Sequence, residues 1–158
     1  MLAIALAMVA TLALSAGAAG KTADEIDTTQ DAKLGTILVA GNTVYTLKGK
    51  SCTGACLKAW PPVVLPDGTT SATAGDGVDE AKLGTKDLAD GSVQVTYDGK
   101  PLYWYAKDKQ PGQVKGNTTD KFGKWSTVVV AKAGADSGSS GGSGGSGGSS
   151  PSTGGAAF

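Results

Sequence analysis

The sequence predicts an all-β or β-dominated domain of antiparallel hairpins, built from two related repeats with one short helix near its cysteines. Three observations predict it. Apolar and polar residues alternate with period 2 between Lys33 and Lys132, turn dipeptides separate the alternating runs, and one hairpin pattern echoes later in the chain.

The elements follow in order. Thr36–Ala40 and Thr43–Leu47 flank Gly41-Asn42, a two-residue hairpin signal. One or two helical turns are expected near Thr53–Trp60, halted by Pro61-Pro62, because proline lacks the N–H that the next helical bond needs. Gly75–Gly84 reads as loop or a short turn. Ser92–Tyr97 alternates with Val93, Val95 and Tyr97 on one face, and Asp98-Gly99 turns it into Pro101–Tyr105. Trp125–Val130 supplies the last strand. The echo runs from Leu34-Gly-Thr36 through a hairpin to Val44-Tyr45, then from Leu83-Gly-Thr85 through a hairpin to Leu102-Tyr103. Its offset is 49 residues at the Leu-Gly-Thr copies and 58 at the tyrosines. Repeat units are therefore expected over about 33–65 and 83–131, inside a domain spanning 21–134.

The two ends differ in composition from this domain. Leu2–Gly20 carries no charge, and Ala16-Gly17-Ala18 fits an export cleavage site, so residues 1–20 are expected to be a signal peptide or an N-terminal anchor. No Lys or Arg precedes the apolar run, and Ala18 stands where a lipid-bearing Cys would be required after Leu14-Ser-Ala-Gly17. Residues 135–158 are expected to form a disordered Gly/Ser-rich tail, since such a composition buries too little apolar area to offset chain entropy. Within the tail, Ser150-Pro-Ser-Thr-Gly154 resembles a sortase wall-sorting signal with Ser in the Leu position, a match that low-complexity sequence also produces by chance.

Charge narrows the function classes. Fourteen acids balance fourteen cations, and every cation is Lys, because the chain has neither Arg nor His. Without guanidinium forks, nucleic-acid binding is not expected. Without His, the commonest general base and the usual Zn, Cu and haem ligand are missing, so no enzyme activity and no cofactor are expected. Residues 21–31 set Lys21 against Asp24, Glu25, Asp27 and Asp31, net −3. Residues 98–132 set seven Lys against Asp98, Asp108 and Asp120, net +4. This basic stretch suits either solvated β-edges or a surface for an anionic polymer.

A family resemblance rests on Thr96-Tyr-x-Gly-x-Pro-Leu-Tyr103, then Tyr105, Asp108, Pro111-Gly112, Gly116 and Gly123-x-Trp125. These positions resemble the bacterial "secreted repeat of unknown function" family, predicted lipoproteins with a Tyr-x-(Phe/Trp/Tyr)-x-x-Asp motif. The motif stands here as Tyr103-Trp-Tyr105-Ala-Lys-Asp108, and Cys52-x-x-x-Cys56-x-x-x-Trp60-Pro-Pro62 resembles the first repeat's cysteine segment. The similarity covers about residues 33–131. The first copy, Tyr45-Thr-Leu-Lys-Gly-Lys50, lacks the second aromatic and the Asp. The resemblance implies extracytoplasmic placement and no particular chemistry.

Three sites carry candidate chemistry. Cys52 and Cys56, the chain's two cysteines, lie roughly 6 Å apart if they share a helical turn, within disulfide range. A structural bridge is expected, with a redox-active or metal-handling dithiol as the alternative. Along the next strand, Leu102 and Trp104 face one way and Tyr103 and Tyr105 the other. One set must be core; the other is either a stacking platform for a ligand or buried in a second layer. Tyr103, Trp104, Tyr105 and Asp108 are thus the candidate binding residues. Asp108, Asn117 and Asp120 have the chemistry to ligate Ca²⁺, but their spacing matches no calcium loop and four nearby lysines oppose it, so no metal is expected. Asp108 is expected instead to cap a turn. The sequence therefore points to a secreted or cell-envelope binding or scaffold module. Its expected partner is an envelope polymer or protein, with membrane contact only through residues 2–20 if they stay uncleaved. The alternative is a small redox or metal-handling accessory using the cysteine pair.

Overall fold

A computed structural model describes residues 21–132; the predicted export segment and the Gly/Ser tail lie outside the described residues. Within them the chain is β-dominated, and its single α-helix, α1 (Cys56–Ala59), is one turn beside the cysteines. The strands are β1 (Glu25–Asp31), β2 (Gly35–Ala40), β3 (Asn42–Lys48), β4 (Thr73–Ala74), β5 (Leu83–Asp87), β6 (Val93–Tyr97), β7 (Lys100–Pro101), β8 (Tyr103–Trp104), β9 (Thr119–Asp120), β10 (Gly123–Thr127) and β11 (Val129–Lys132). One sheet runs β4-β1-β2-β3-β10-β9, with β11 added to β2 and β8 to β3; the other runs β5-β6-β7. All pairings between strands are antiparallel except the short one of β1 with β4.

Registers reveal two units that use the chain in the same way. In the first, β1 pairs β2, and the chain reverses at Gly41 into β3. In the second, β5 pairs β6, and the chain reverses at Asp98-Gly99 into β7 and β8. Gly41 (φ +68°) and Gly99 (φ +69°) are 58 residues apart and take the same left-handed conformation. Glycine adopts it without the Cβ clash that other residues meet. Thr29 opposes Ile37 in the first unit as Thr85 opposes Val95 in the second, so β5 is the counterpart of β1. The two Leu-Gly-Thr copies are therefore not equivalent: Leu34–Thr36 enters β2, whereas Leu83–Thr85 begins β5. The first unit begins at β1 rather than near residue 33. That strand escapes hydrophobic reading because Ile26 is its one apolar residue.

The units interlock by exchanging their last strands. The hairpin of β2 and β3 is ladder-paired only at Val39–Thr43 and Ala40–Asn42, then splays. Into the opening runs the second unit's continuous segment, β10 along β3 and β11 along β2, with the Leu38 N–H donating to the Val128 carbonyl at 2.9 Å between them. Reciprocally, the first unit's Pro62–Leu65 lies between β6 and β8. Val63 N–H donates to the Leu102 carbonyl, and Val95 N–H donates to the Val63 carbonyl. Pro62 opposes Tyr103 as Thr127 opposes Tyr45. Both expected reversals are present, but only Asp98-Gly99 is a two-residue loop; at the first, Asn42 already pairs with Ala40 and Gly41 alone makes the turn, and each hairpin is completed by the other unit.

Exchange yields two cores. One gathers Ile26, Leu38, Val44, Val63, Val95, Leu102 and Trp104; the other gathers Tyr45, Cys52, Cys56, Trp60, Tyr103 and Trp125. Because β6 is covered by Pro62–Leu65 on its flank, Gln94 and Thr96 are buried along with Val95 and Tyr97, and the alternation there is not polar-out. Gln94 satisfies its amide by donating to the Leu102 carbonyl at 2.8 Å.

Candidate functional site

The second core is organised about the equivalent residues of the two units. Tyr45 and Tyr103 oppose each other across β3 and β8. Trp60 and Trp125, 65 residues apart, stack at 3.8 Å with an interplanar angle of 9°. Each tyrosine meets its own unit's indole edge-on: Tyr45–Trp60 at 5.6 Å and Tyr103–Trp125 at 5.4 Å. Quadrupoles favour such edge contacts. Tyr105 extends the stack on the outer side of Trp60 at 4.3 Å, and the Lys107 ammonium stands 6.0 Å from the Tyr105 ring centroid.

One carboxylate serves both indoles. Trp60 Nε1–H donates to Asp120 Oδ2 at 2.9 Å, and Trp125 Nε1–H donates to Asp120 Oδ1 at 3.1 Å. The Phe122 and Gly123 N–H groups donate to Oδ1 as well, at 2.8 and 3.2 Å. Desolvation alone would raise the pKa of Asp120, but these donors together hold it below the usual carboxylate value.

Asp108 does something different. It is buried, its Oδ2 accepts from the Tyr45 hydroxyl at 2.5 Å, and its Oδ1 accepts from the Lys115 N–H at 3.1 Å. The Tyr45 hydroxyl in turn accepts from the Gly116 N–H at 3.1 Å. A Cβ on Gly116 would stand 2.5 Å from the Tyr45 ring, so that close approach requires glycine. Burial first, and the Asp108 bond second, push the Tyr45 pKa well above its ordinary value. The expected backbone cap is present through Lys115, and the tyrosine bond adds a latch from the second unit's loop onto the first unit.

The structure separates the other sequence candidates. Trp104 packs in the first core and donates from Nε1 to the Ala40 carbonyl at 3.0 Å, while Tyr103 packs in the second. With Tyr103 6 % and Trp104 3 % exposed, neither offers a ring face to a ligand. Both sides of that strand are buried, because each faces one of two cores. Tyr105 is half-buried. Asp108, Asn117 and Asp120 do not converge: Asn117 Oδ1 accepts from the Thr127 N–H and hydroxyl, and the two aspartates are committed as described. Cys52 and Cys56 form a disulfide with Cα atoms 5.3 Å apart. Sequence reading missed Asp120 as an indole acceptor. Its one available signal was an Asp five residues before the Trp125 of the family-like segment.

A cleft of about 640 Å³ opens where the first unit's cysteine loop faces the β5–β7 sheet. Leu57, Leu88, Pro62 and Pro101 supply apolar wall, Gln94 and Tyr103 line its interior, and Lys50, Lys86 and Asp90 carry its charge. Leu57 is 38 % exposed. Of the sequence-nominated aromatics, Tyr103 alone borders this cleft.

Residues 84–129 match the family model described as a secreted repeat of unknown function. The matched segment covers the second unit, from β5 to the start of β11. No curated protein and no solved structure matches the chain. The family description and the disulfide both point to an extracytoplasmic location.

Proposed function

We propose that the chain is an extracytoplasmic, non-catalytic binding module that takes a segment of an anionic envelope polymer in the cleft beside its disulfide. The observation that carries this reading is the cleft's lining. It combines apolar walls with serine and threonine hydroxyls, as ligand sites usually do. Lys50 and Lys86 give it a cationic surplus, because Asp90 is the one acid among its residues and already accepts from the Ser92 N–H and hydroxyl. Exposed lysines there would draw an anionic chain by a salt-dependent attraction.

Co-sedimentation with purified anionic wall polymer, at low and at high salt, tests the proposal. Binding should weaken with salt and should be lost in a Lys50→Glu/Lys86→Glu variant that keeps the wild-type melting temperature. Equal binding by that variant, or no binding by the wild type at low salt, would remove the cleft as the site.

A further inference from the structure

The stacked indoles of the second core have an electrostatic setting that their packing does not require. Two electron-rich rings lie face to face at 3.8 Å, and both N–H groups donate to one carboxylate. Tyr105, itself half-buried, continues the stack, and the Lys107 ammonium lies 6.0 Å from its ring centroid. A positive charge on one indole is attracted by the facing ring's quadrupole. It is further stabilised by the Asp120 carboxylate, which accepts from both indole N–H groups within 3.1 Å, an attraction that solvent at the part-exposed Asp120 weakens but does not remove. Lys107 acts in the opposite sense on Tyr105. The field therefore runs inward, disfavouring a hole on Tyr105 and favouring one on the Trp60–Trp125 pair.

The third tryptophan is an internal control. Trp104 lies in the other core, donates to a neutral carbonyl, and carries the Lys21 ammonium over its ring at 4.5 Å. Its surroundings oppose a positive charge where those of Trp60 and Trp125 support one.

We propose that the Tyr105–Trp60–Trp125 stack is a one-electron donor site, serving a high-potential metal complex or radical that meets the protein at Tyr105. One electron leaves the indole pair and reduces that oxidant by one unit. No bond forms or breaks. The radical cation spreads over both indoles, and both N–H protons stay in their hydrogen bonds to Asp120. A phenol or thiol donor at the same surface returns the electron. This site is independent of the polymer cleft.

The test uses the full chain, with a ruthenium(III) polypyridyl oxidant generated by a laser flash, followed by transient absorption and freeze-quenched electron paramagnetic resonance. In the wild type an indole radical should appear with hyperfine couplings about half those of a single indole, the signature of a shared charge. Trp104→Phe should leave the signal in place, whereas Trp125→Phe, which keeps an aromatic ring in the stack, should lose the shared character. Asp120→Asn should slow radical formation about tenfold, as removal of a neighbouring unit charge predicts. A wild-type radical with full single-indole couplings overturns the proposal without any variant. So does loss of the signal in Trp104→Phe, or an unchanged rate in a folded Asp120→Asn protein.

Discussion

Changing Tyr45→Phe should cost about 3 kcal/mol, and the reason is the Asp108 latch. The hydroxyl donates to a buried carboxylate at 2.5 Å and accepts from the Gly116 N–H at 3.1 Å. A hydrogen bond to a charged group contributes about 1.5–3 kcal/mol, and leaving its buried partner unsatisfied adds the desolvation of that partner. Asp108→Asn, which keeps the shape and removes the charge, should cost about 1–2 kcal/mol on the same scale. A double-mutant cycle on urea melts should then give a coupling of about 1–2 kcal/mol between positions 63 residues apart. The pH dependence follows from the raised pKa of Tyr45, caused first by burial and then by Asp108. A folded-state pKa above the unfolded value means that the native state holds its proton more tightly. The associated stability is thus complete below about pH 10, the unfolded tyrosine value, and is lost as pH rises from there toward the folded pKa. Tyr45→Phe should flatten that alkaline fall, leaving the smaller part due to Tyr103, whose pKa burial also raises. A coupling below about 0.3 kcal/mol, within the scatter expected of independent sites, would refute the latch and return Asp108 to the list of ligand-facing residues.

Other outcomes follow from the same contacts. Trp104→Ala should destabilise by about 3–5 kcal/mol and the half-buried Tyr105→Ala by clearly less, measured by chemical denaturation, because Trp104 fills the first core and Tyr105 only flanks the second. Reducing Cys52–Cys56, or changing Cys52→Ser, should cost about 2 kcal/mol with the far-ultraviolet spectrum retained, since so short a loop removes little unfolded-state entropy. Gly116→Ala should lower the thermal midpoint more than Gly91→Ala, because its Cβ would meet the Tyr45 ring, whereas at Gly91 the space is open and only the left-handed backbone (φ +85°) opposes a side chain. Mass spectrometry of exported protein should find an N-terminus near residues 19–21, after Ala16-Gly17-Ala18.

Period-2 patterning and turn residues made β2, β3, β6 and the final strand legible, because each has enough buried alternate positions to leave a trace in hydrophobicity. β1 left none. It is a polar strand held by its ladder to β2, and ladder bonds carry no sequence signature. The alternation of Leu102–Tyr105 was also readable, but not its meaning. Two-sided burial requires a second core, and that core exists only because Trp60 at the end of α1 and Trp125 in β10 meet from positions distant in sequence. Asp108 and Asp120 were legible as residues of a family-like segment and illegible as partners. The groups that donate to their carboxylates lie up to 63 residues away, beyond anything that local spacing can encode.

The exchange of last strands explains why one unit resembles the family motif and the other departs from it. Each unit's hairpin is splayed, so a single unit would leave the edges of its own hairpin unpaired and its tyrosine uncovered. The matched segment, residues 84–129, contains β6 and β8 but not Pro62–Leu65, the extended segment that bridges them. In this chain it is one half of an interlocked pair. Given that pairing, each tyrosine is held by the loop of the opposite unit, and the two loops need not be alike. The second unit's loop holds Tyr45 through Asp108 and Gly116. The first unit's loop places the Cys52 backbone and its disulfide against Tyr103. Lys50 stands 58 residues before Asp108, so the first copy loses the motif's acid at the point where the disulfide begins. A covalent closure of four residues replaces a carboxylate latch, and the loop it frees forms one wall of the cleft. The asymmetry between the repeats is thus where the molecule acquires a surface that the symmetric pair would lack.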